Sequence, residues 1–367
     1  MPSSLASCKA ALAVACTAFA AALPGTAEAQ TERRTLSGRD VSVFNLAGEV
    51  TVESGSGSDV VVEVRRGGRD ADRLRVEVGQ VRGRNTLRVV YPSGDIVYAG
   101  SGNDDRRGGW GSSSNTEMRV NDDGTWGGDN RWNDGRRVRV KSDGSGSEAW
   151  ADIRIFVPSG KALDVNLGVG RMDVHGVNAD LRLDASSARV IASGTRGNLA
   201  IDAGSGGVEL RDVNASTLDV DNGSGGITFS NVTGRTCAID TGSGGVRGDR
   251  IACDDVRVST GSGSVQLDDV RSDDTDVDTG SGGVRIDLRT APRSLRVDAG
   301  SGSVTVSMPA NTSAEVDIET GSGSISTDFG LQTDRYERNR LRGRIGNGSG
   351  RISIESGSGS VRLIKSS

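Results

Sequence analysis

Aromatic residues make up only 3% of this 367-residue chain, and it has a single histidine. A core without rings must be assembled from Val, Ile, Leu and Ala, which suits a narrow interior. The lone histidine, His175, has no serine or cysteine motif beside it, so histidine-based catalysis has no footing. Cysteine is scarce too, and two of the four lie in the first 16 positions. Long apolar runs are missing outside residues 10–23, and that run is too short for a good membrane span. A cationic excess is also missing. A net charge of −5 and a pI near 5.2 argue against nucleic acid as a partner.

Residues 1–29 read as a secretion signal. Lys9 gives a weakly positive start, residues 10–23 are almost all Ala, Leu, Val and Phe, and Ala27-Glu28-Ala29 is a small-residue cleavage site. The mature chain then starts at Gln30. It is expected outside the cytoplasm, in the periplasm or beyond, with no transmembrane segment.

Glycine is abundant, with 54 residues, and it is ordered. The stretch Ile201 to Leu210 reads strand, Gly-Ser-Gly corner, strand. Corner glycines recur at Gly204, Gly223, Gly242, Gly261 and Gly280, 19 residues apart, and again at Gly300, Gly321, Gly348 and Gly357. Before each corner the apolar residues alternate, as in Leu199 and Ile201 or Leu218 and Val220. After it they alternate again, as in Val208 and Leu210 or Val265 and Leu267. A period of two marks strands with one buried face. Two short strands per unit cannot bury that face alone, so the units must stack. The expected fold is all-β, a right-handed parallel β-helix of about 19-residue coils. The corner glycines supply either positive φ or room for close backbone approach.

The chain divides accordingly into a signal (1–29), an N-terminal cap with irregular first coils (30–92), a Gly/Asp/Trp-rich flexible insertion (93–148) and a regular β-helix with a C-terminal cap (149–367). The coils flanking the insertion read as complete without it. Its tryptophans, Trp110, Trp126 and Trp132, are candidate ligand-binding residues, because rings in a polar loop stack on sugars or anchor a partner. The favoured reading is a surface excursion. Residues 328–347 read as a second excursion, belonging to the C-terminal cap.

Cys237 and Cys253 remain after the signal, and export permits a disulfide. Stacking places Cys237 on Val256, three residues from Cys253. An extended path of that length is roughly 10 Å, too far for a bridge. The expectation is therefore a core cysteine at 237 and a corner cysteine at 253. A bend at Asp254-Asp255 that permits a Cys237–Cys253 disulfide is the alternative.

A signal, a valine-rich entry, the turn Val157-Pro158-Ser159-Gly160, repeated Gly-Ser-Gly-Gly-Val units and the segment Gly346-Asn347-Gly348-Ser349-Gly350-Arg351-Ile352 together resemble the bacterial putative-adhesin domain family, a domain long without an assigned function. The resemblance covers roughly residues 40–365. It implies a β-helical envelope protein with a surface-contact role, and it brings no catalytic residues.

Two residues before each corner stand Asp184, Asp202, Asp221, Asp240, Ser259, Asp278, Asp298, Glu319 and Glu355. Stacking makes these a column of like charges. The favoured reading has each carboxylate accept N–H bonds from its own corner, as in Asx-turns. The alternative is a cation ladder, with calcium held by Asp202, Asp221, Asp240, Asp278 and Asp298. No other cofactor is indicated. A solvated loop accounts for the run Arg335, Arg338, Arg340, Arg342 and Arg344, although it could also grip a polyanion. The functional expectation is a non-enzymatic, adhesin-like binding protein of the envelope, whose partner is a glycan or a cell-surface component. The alternatives are a polysaccharide lyase or hydrolase on the same fold, and a structural envelope component without a ligand.

Overall fold

The computed structural model describes residues 31–100, 115–127 and 135–366. The signal expected over 1–29 lies outside these. Among the described residues the only helix is the single 3-10 turn Ala71–Arg73, and everything else regular is strand. None of it is a helix long and apolar enough to cross a membrane.

The period of two becomes one buried face. In the strand Val208–Asn222 the side chains of Val208, Leu210, Leu218 and Val220 point inward and are buried. Strands then stack in parallel and in register. Val208 lies opposite Ile227, Ile227 opposite Val246, and Val246 opposite Val265. Each buried aliphatic contributes about 1.5–3 kcal/mol relative to exposure, so the columns hold the solenoid-like stack together. Small side chains keep the interior narrow.

Close approach explains the corner glycines except Gly348, which lies outside the stacked corners with φ 74°. A Cβ on Gly225 would lie 1.9 Å from the Gly206 carbonyl oxygen, and one on Gly263 would lie 1.8 Å from that of Gly244. Successive corners touch backbone to backbone, and any side chain would push the layers apart. Left-handed backbone is used at a second corner, which is glycine in the first layers (Gly176 and Gly194, φ 63° and 64°) and another residue in the layers that follow. Asp212, Asn231, Arg250 and Asp269 have φ of 54°, 54°, 53° and 52°.

Cys237 and Cys253 form a disulfide with Cα atoms 6.2 Å apart, against the expectation of two separate thiols. The register was right, since Cys237 lies opposite Val256 and Gly234 lies opposite Cys253. The assumed extended path was wrong. Alternation of burial breaks between Val232 and Cys237, where the chain bends. A Cβ on Gly234 would sit 3.8 Å from Cys237 Sγ, so the disulfide occupies space that glycine leaves open.

At both ends, chain order and spatial order part company. The strand Asp40–Ser54 pairs along its length with Ala162–His175. Its other edge is completed by two remote strands, Arg84–Val90 on the first half and Trp150–Val157 on the second. Between these two in sequence lies the segment 93–148. Its described parts are folded, which corrects the expectation of a flexible insertion. Asn115–Val120, Arg136–Lys141, Ile96–Val97 and Ser147–Glu148 form a four-stranded sheet. Val120, Val138 and Val140 are buried and belong to the same hydrophobic core as the stack. At the other end, Gly350–Ser356 is inserted between Ser294–Ala299 and Ala314–Thr320. The last strands in the sequence are therefore not the last in the stack. The end is covered instead by Arg340–Ile345 and Gln332–Tyr336, both running antiparallel to their neighbours.

Candidate functional site

The stack turns one outward column into the row Asn166, Asp184, Asp202, Asp221, Asp240, Ser259, Asp278, Asp298, Glu355, Glu319, each opposite the next. The inserted C-terminal strand puts Glu355 ahead of Glu319, an order the sequence does not suggest. Neighbouring strands are about 4.8 Å apart. Two unit charges at that distance repel by about 1 kcal/mol in water and by about 3.5 kcal/mol at an effective dielectric of 20. Burial, reinforced by Asp202 and Asp164, pushes the half-buried Asp184 carboxyl up to about 6, with Arg182 opposing. Partial burial, followed by Asp202, Asp240 and Asp219, raises that of Asp221. Among the described residues no three carboxylate, cysteine or histidine side chains come together to hold a metal ion.

The corner N–H groups are not satisfied by this column, which corrects the Asx-turn expectation. The next residue does that work, from the inside. Thr241, Thr260 and Thr279 are buried, and their hydroxyls accept from the N–H of Gly244, Gly263 and Gly282 at 3.2, 3.0 and 3.0 Å. The same hydroxyls donate to the carbonyls of Gly225, Gly244 and Gly263 in the preceding layer. Asn222, Thr320 and Ser356 cap their corners alike. This ladder leaves the outward carboxylates free of a structural duty at the corner. Its sequence signal is a polar residue at an inward position of the alternation, immediately before the corner, at Asn222, Thr241, Thr260, Thr279, Thr320 and Ser356, whereas Ala185, Ala203 and Ala299 hold that place in the other layers.

Charges close the column at one end and rings at the other. Arg340 pairs with Glu319 at 3.3 Å, Arg342 with Asp317 at 2.7 Å and Arg335 with Glu337 at 2.7 Å. Three arginines of the basic run are thus engaged with carboxylates. At the opposite end Asn166 lies beside Phe44. Trp126 packs edge-on against that ring, with centroids 5.2 Å apart, and is 6% exposed. Its expected place on a surface loop is corrected, because its bulk is core. Trp110 and Trp132 lie outside the described residues. His175 is exposed, with Nδ1 2.9 Å from Ser193 Oγ.

The arrangement defines an all-β, solenoid-like protein with a ladder of outward polar columns. The chain belongs to the Toastrack DUF4097 family, whose model matches residues 151–363, more than half of its length. No curated protein matches the sequence. Two solved structures are similar. One is titled a putative cell adhesion protein from Clostridium sporogenes ATCC 15579, at 8% identity and a TM-score of 0.20, covering 92% of this chain and 99% of that one. The other is titled a putative adhesin from Bacteroides fragilis NCTC 9343, at 10% identity and a TM-score of 0.31, covering 92% and 98%. At such scores neither likeness carries an argument about function.

Proposed function

We propose that this chain is an exported, non-enzymatic binding protein of the cell envelope, which presents the outward face of its stack as an adhesin-like contact surface for a glycan or another surface component. Residues 1–29 direct the export, and the coils wind right-handed with about 19 residues each. The carrying observation is the outward column from Asp184 to Glu319, held in register across the stack while corner capping is delegated to buried threonines. A polar surface so regular and so free of structural tasks suits recognition over an extended area. Catalysis by a carboxylate and arginine cluster is less well supported, because three of the clustered arginines are engaged in ion pairs. A glycan array followed by a depolymerisation assay on each bound glycan tests the reading. Binding without cleavage is the expected result. Cleavage would make the protein a lyase or hydrolase, and absence of both would leave a structural component.

A further inference from the structure

The acidic column runs into a groove at its N-terminal end. One cavity of about 300 Å³ there is lined by Ser42, Phe44, Trp126, Asn166, Arg182 and Asp184, among others. A second of about 300 Å³ shares Arg84, Asp164 and Arg182 with it, so the two form one groove running across neighbouring strands. Register explains the floor. Thr86, Ser42, Asp164, Arg182 and Ala200 lie side by side in one row, and Phe44, Asn166 and Asp184 lie in the next.

The frame of the groove is built and held. Arg84 donates to Asp164 Oδ2 at 2.7 Å, and Asn166 Nδ2 donates to Asp164 Oδ1 at 2.7 Å. Arg82, in left-handed backbone at φ 51°, reaches from its turn to the Gly127 carbonyl at 2.7 Å. That bond ties the turn to the Trp126 segment. Within this frame two buried polar groups are left over and two accessible ones stand beside them. The Ser42 hydroxyl and the Trp126 indole N–H are buried without a partner. Arg182 and Asp184 make no hydrogen bond or ion pair to another described residue, although each feels the other's charge.

Buried polar groups are normally paired, so the orphaned Ser42 hydroxyl and Trp126 indole N–H call for an occupant, to which the exposed Arg182 and half-buried Asp184 offer further partners. Their chemistry selects it. Indole N–H and guanidinium only donate, a carboxylate only accepts, and serine does both. An anion would satisfy the donors but face Asp164 and Asp184. A cation would satisfy the carboxylates but face Arg84, Arg182 and the indole N–H. A neutral polyhydroxyl compound satisfies all of them, since each hydroxyl donates and accepts. The ring edges of Phe44 and Trp126 add an apolar wall for its C–H groups.

We infer that the groove between Trp126 and Arg182 is a binding site for a neutral saccharide, the point at which the extended face grips a glycan. This rests on the binding-protein reading above and locates the contact within it. The full chain would be titrated calorimetrically with cello-, malto- and chito-tetraose, with a galacturonate tetramer and a chitosan tetramer as acidic and cationic controls. One neutral tetraose is expected to bind. Arg182→Ala, Asp184→Asn and Trp126→Phe should each weaken it about tenfold or more, with the melting temperature unchanged for the first and not lowered for the second. Arg247→Ala, on a different outward row, should leave the affinity as it is. Neutral binding that all three groove variants retain would overturn the groove while leaving the binding-protein reading intact. Preference for the acidic or cationic tetramer would overturn the neutral assignment. No binding of any tetramer, with cell-surface adhesion of the chain preserved, would overturn the saccharide site alone. Loss of adhesion as well would overturn both.

Discussion

The middle of the molecule and its two ends are built from the same strands by different rules. From Leu199 to Thr279 each strand pairs with the next copy of itself in the sequence, and Val208, Ile227, Val246 and Val265 follow one another in space as in the chain. At the ends this order fails. Gly350–Ser356 slips in ahead of Ala314–Thr320, and Trp150–Val157 completes a layer begun by Arg84–Val90. A repeating core can grow indefinitely, but its last layer exposes apolar side chains and an unpaired strand edge. Something unlike the repeat must cover both. The ends therefore carry the antiparallel strands, the four-stranded sheet and most of the buried rings.

The largest expected effect comes from removing one such cover. Replacing residues 95–147 by a short Gly-Ser linker deletes Ile96, Tyr98, Val120, Trp126, Val138 and Val140 from the core. At about 1.5–3 kcal/mol for each fully buried side chain, the loss is comparable to the whole stability of an ordinary domain. The chain should fail to give a cooperative thermal transition. A melting temperature near that of the intact protein would make the segment dispensable and erase the contrast between ends and middle.

Truncation after Asn347 should come next. It removes Ile352, Ile354, Val361 and Leu363, all buried, and leaves a vacant layer inside the stack. Hydrogen exchange should then accelerate in 294–309 and 314–327 while 208–260 stays protected. Uniform acceleration would mean that the stack unfolds as one unit and that the ends are not separable from the middle.

Within the middle, a pair of neighbours tests the inside–outside assignment. Val277 is fully buried, so Val277→Asp places an unpartnered charge in a narrow apolar column and should cost about 4 kcal/mol or more by chemical denaturation. Asp276 is exposed, and Asp276→Asn should stay within about 0.5 kcal/mol. Equal effects would show the register to be wrong there.

The disulfide follows at about 3 kcal/mol, the chain-entropy expectation for the 16-residue separation of Cys237 and Cys253. The double Cys→Ala variant should lose that much, and reducing agent should do to the parent what the mutations do. A parent indifferent to reductant would mean that the bridge adds nothing to an already stacked corner.

An effect of similar size, confined to one side of the pH range, is expected at the acidic column. The Asp184 carboxyl lies at about 6 in the folded chain, above its ordinary value of 3.8. The folded state therefore holds the proton more tightly than the unfolded state. Its contribution to stability is full below about 3.8 and is lost as pH rises through about 6. Asp184→Asn removes that dependence. The variant should match the parent near pH 3.5 and melt higher than it at pH 7.5. A lower melting temperature at pH 7.5 would show that the ionised carboxylate has a stabilising partner.

Much of this was legible in the residues. Alternation about Gly204, Gly223 and Gly242 settled strand, buried face and stacking register, because a period of two leaves one way to bury Val and Leu without burying the polar residues between them. The same register aligned Asp202 with Asp221 and Asp240. The capping role of Thr260 was also present as a polar residue at an inward position, but its partner carbonyl on Gly244 belongs to another layer. The second corner was hidden because Asp212, Asn231, Arg250 and Asp269 share a backbone conformation and not a side chain.

The sequence by itself determined the all-β repeat, its inner and outer columns and the row of carboxylates, since these depend on local spacing that every copy restates. Tertiary structure alone decided the Cys237–Cys253 bridge, the insertion of Gly350–Ser356 into the stack, the burial of Trp126 against Phe44 and the groove beside Asp184. Each of these depends on bends or on contacts between segments that no local period records. Their positions are set by how the open ends of the core are closed, a requirement of the whole fold.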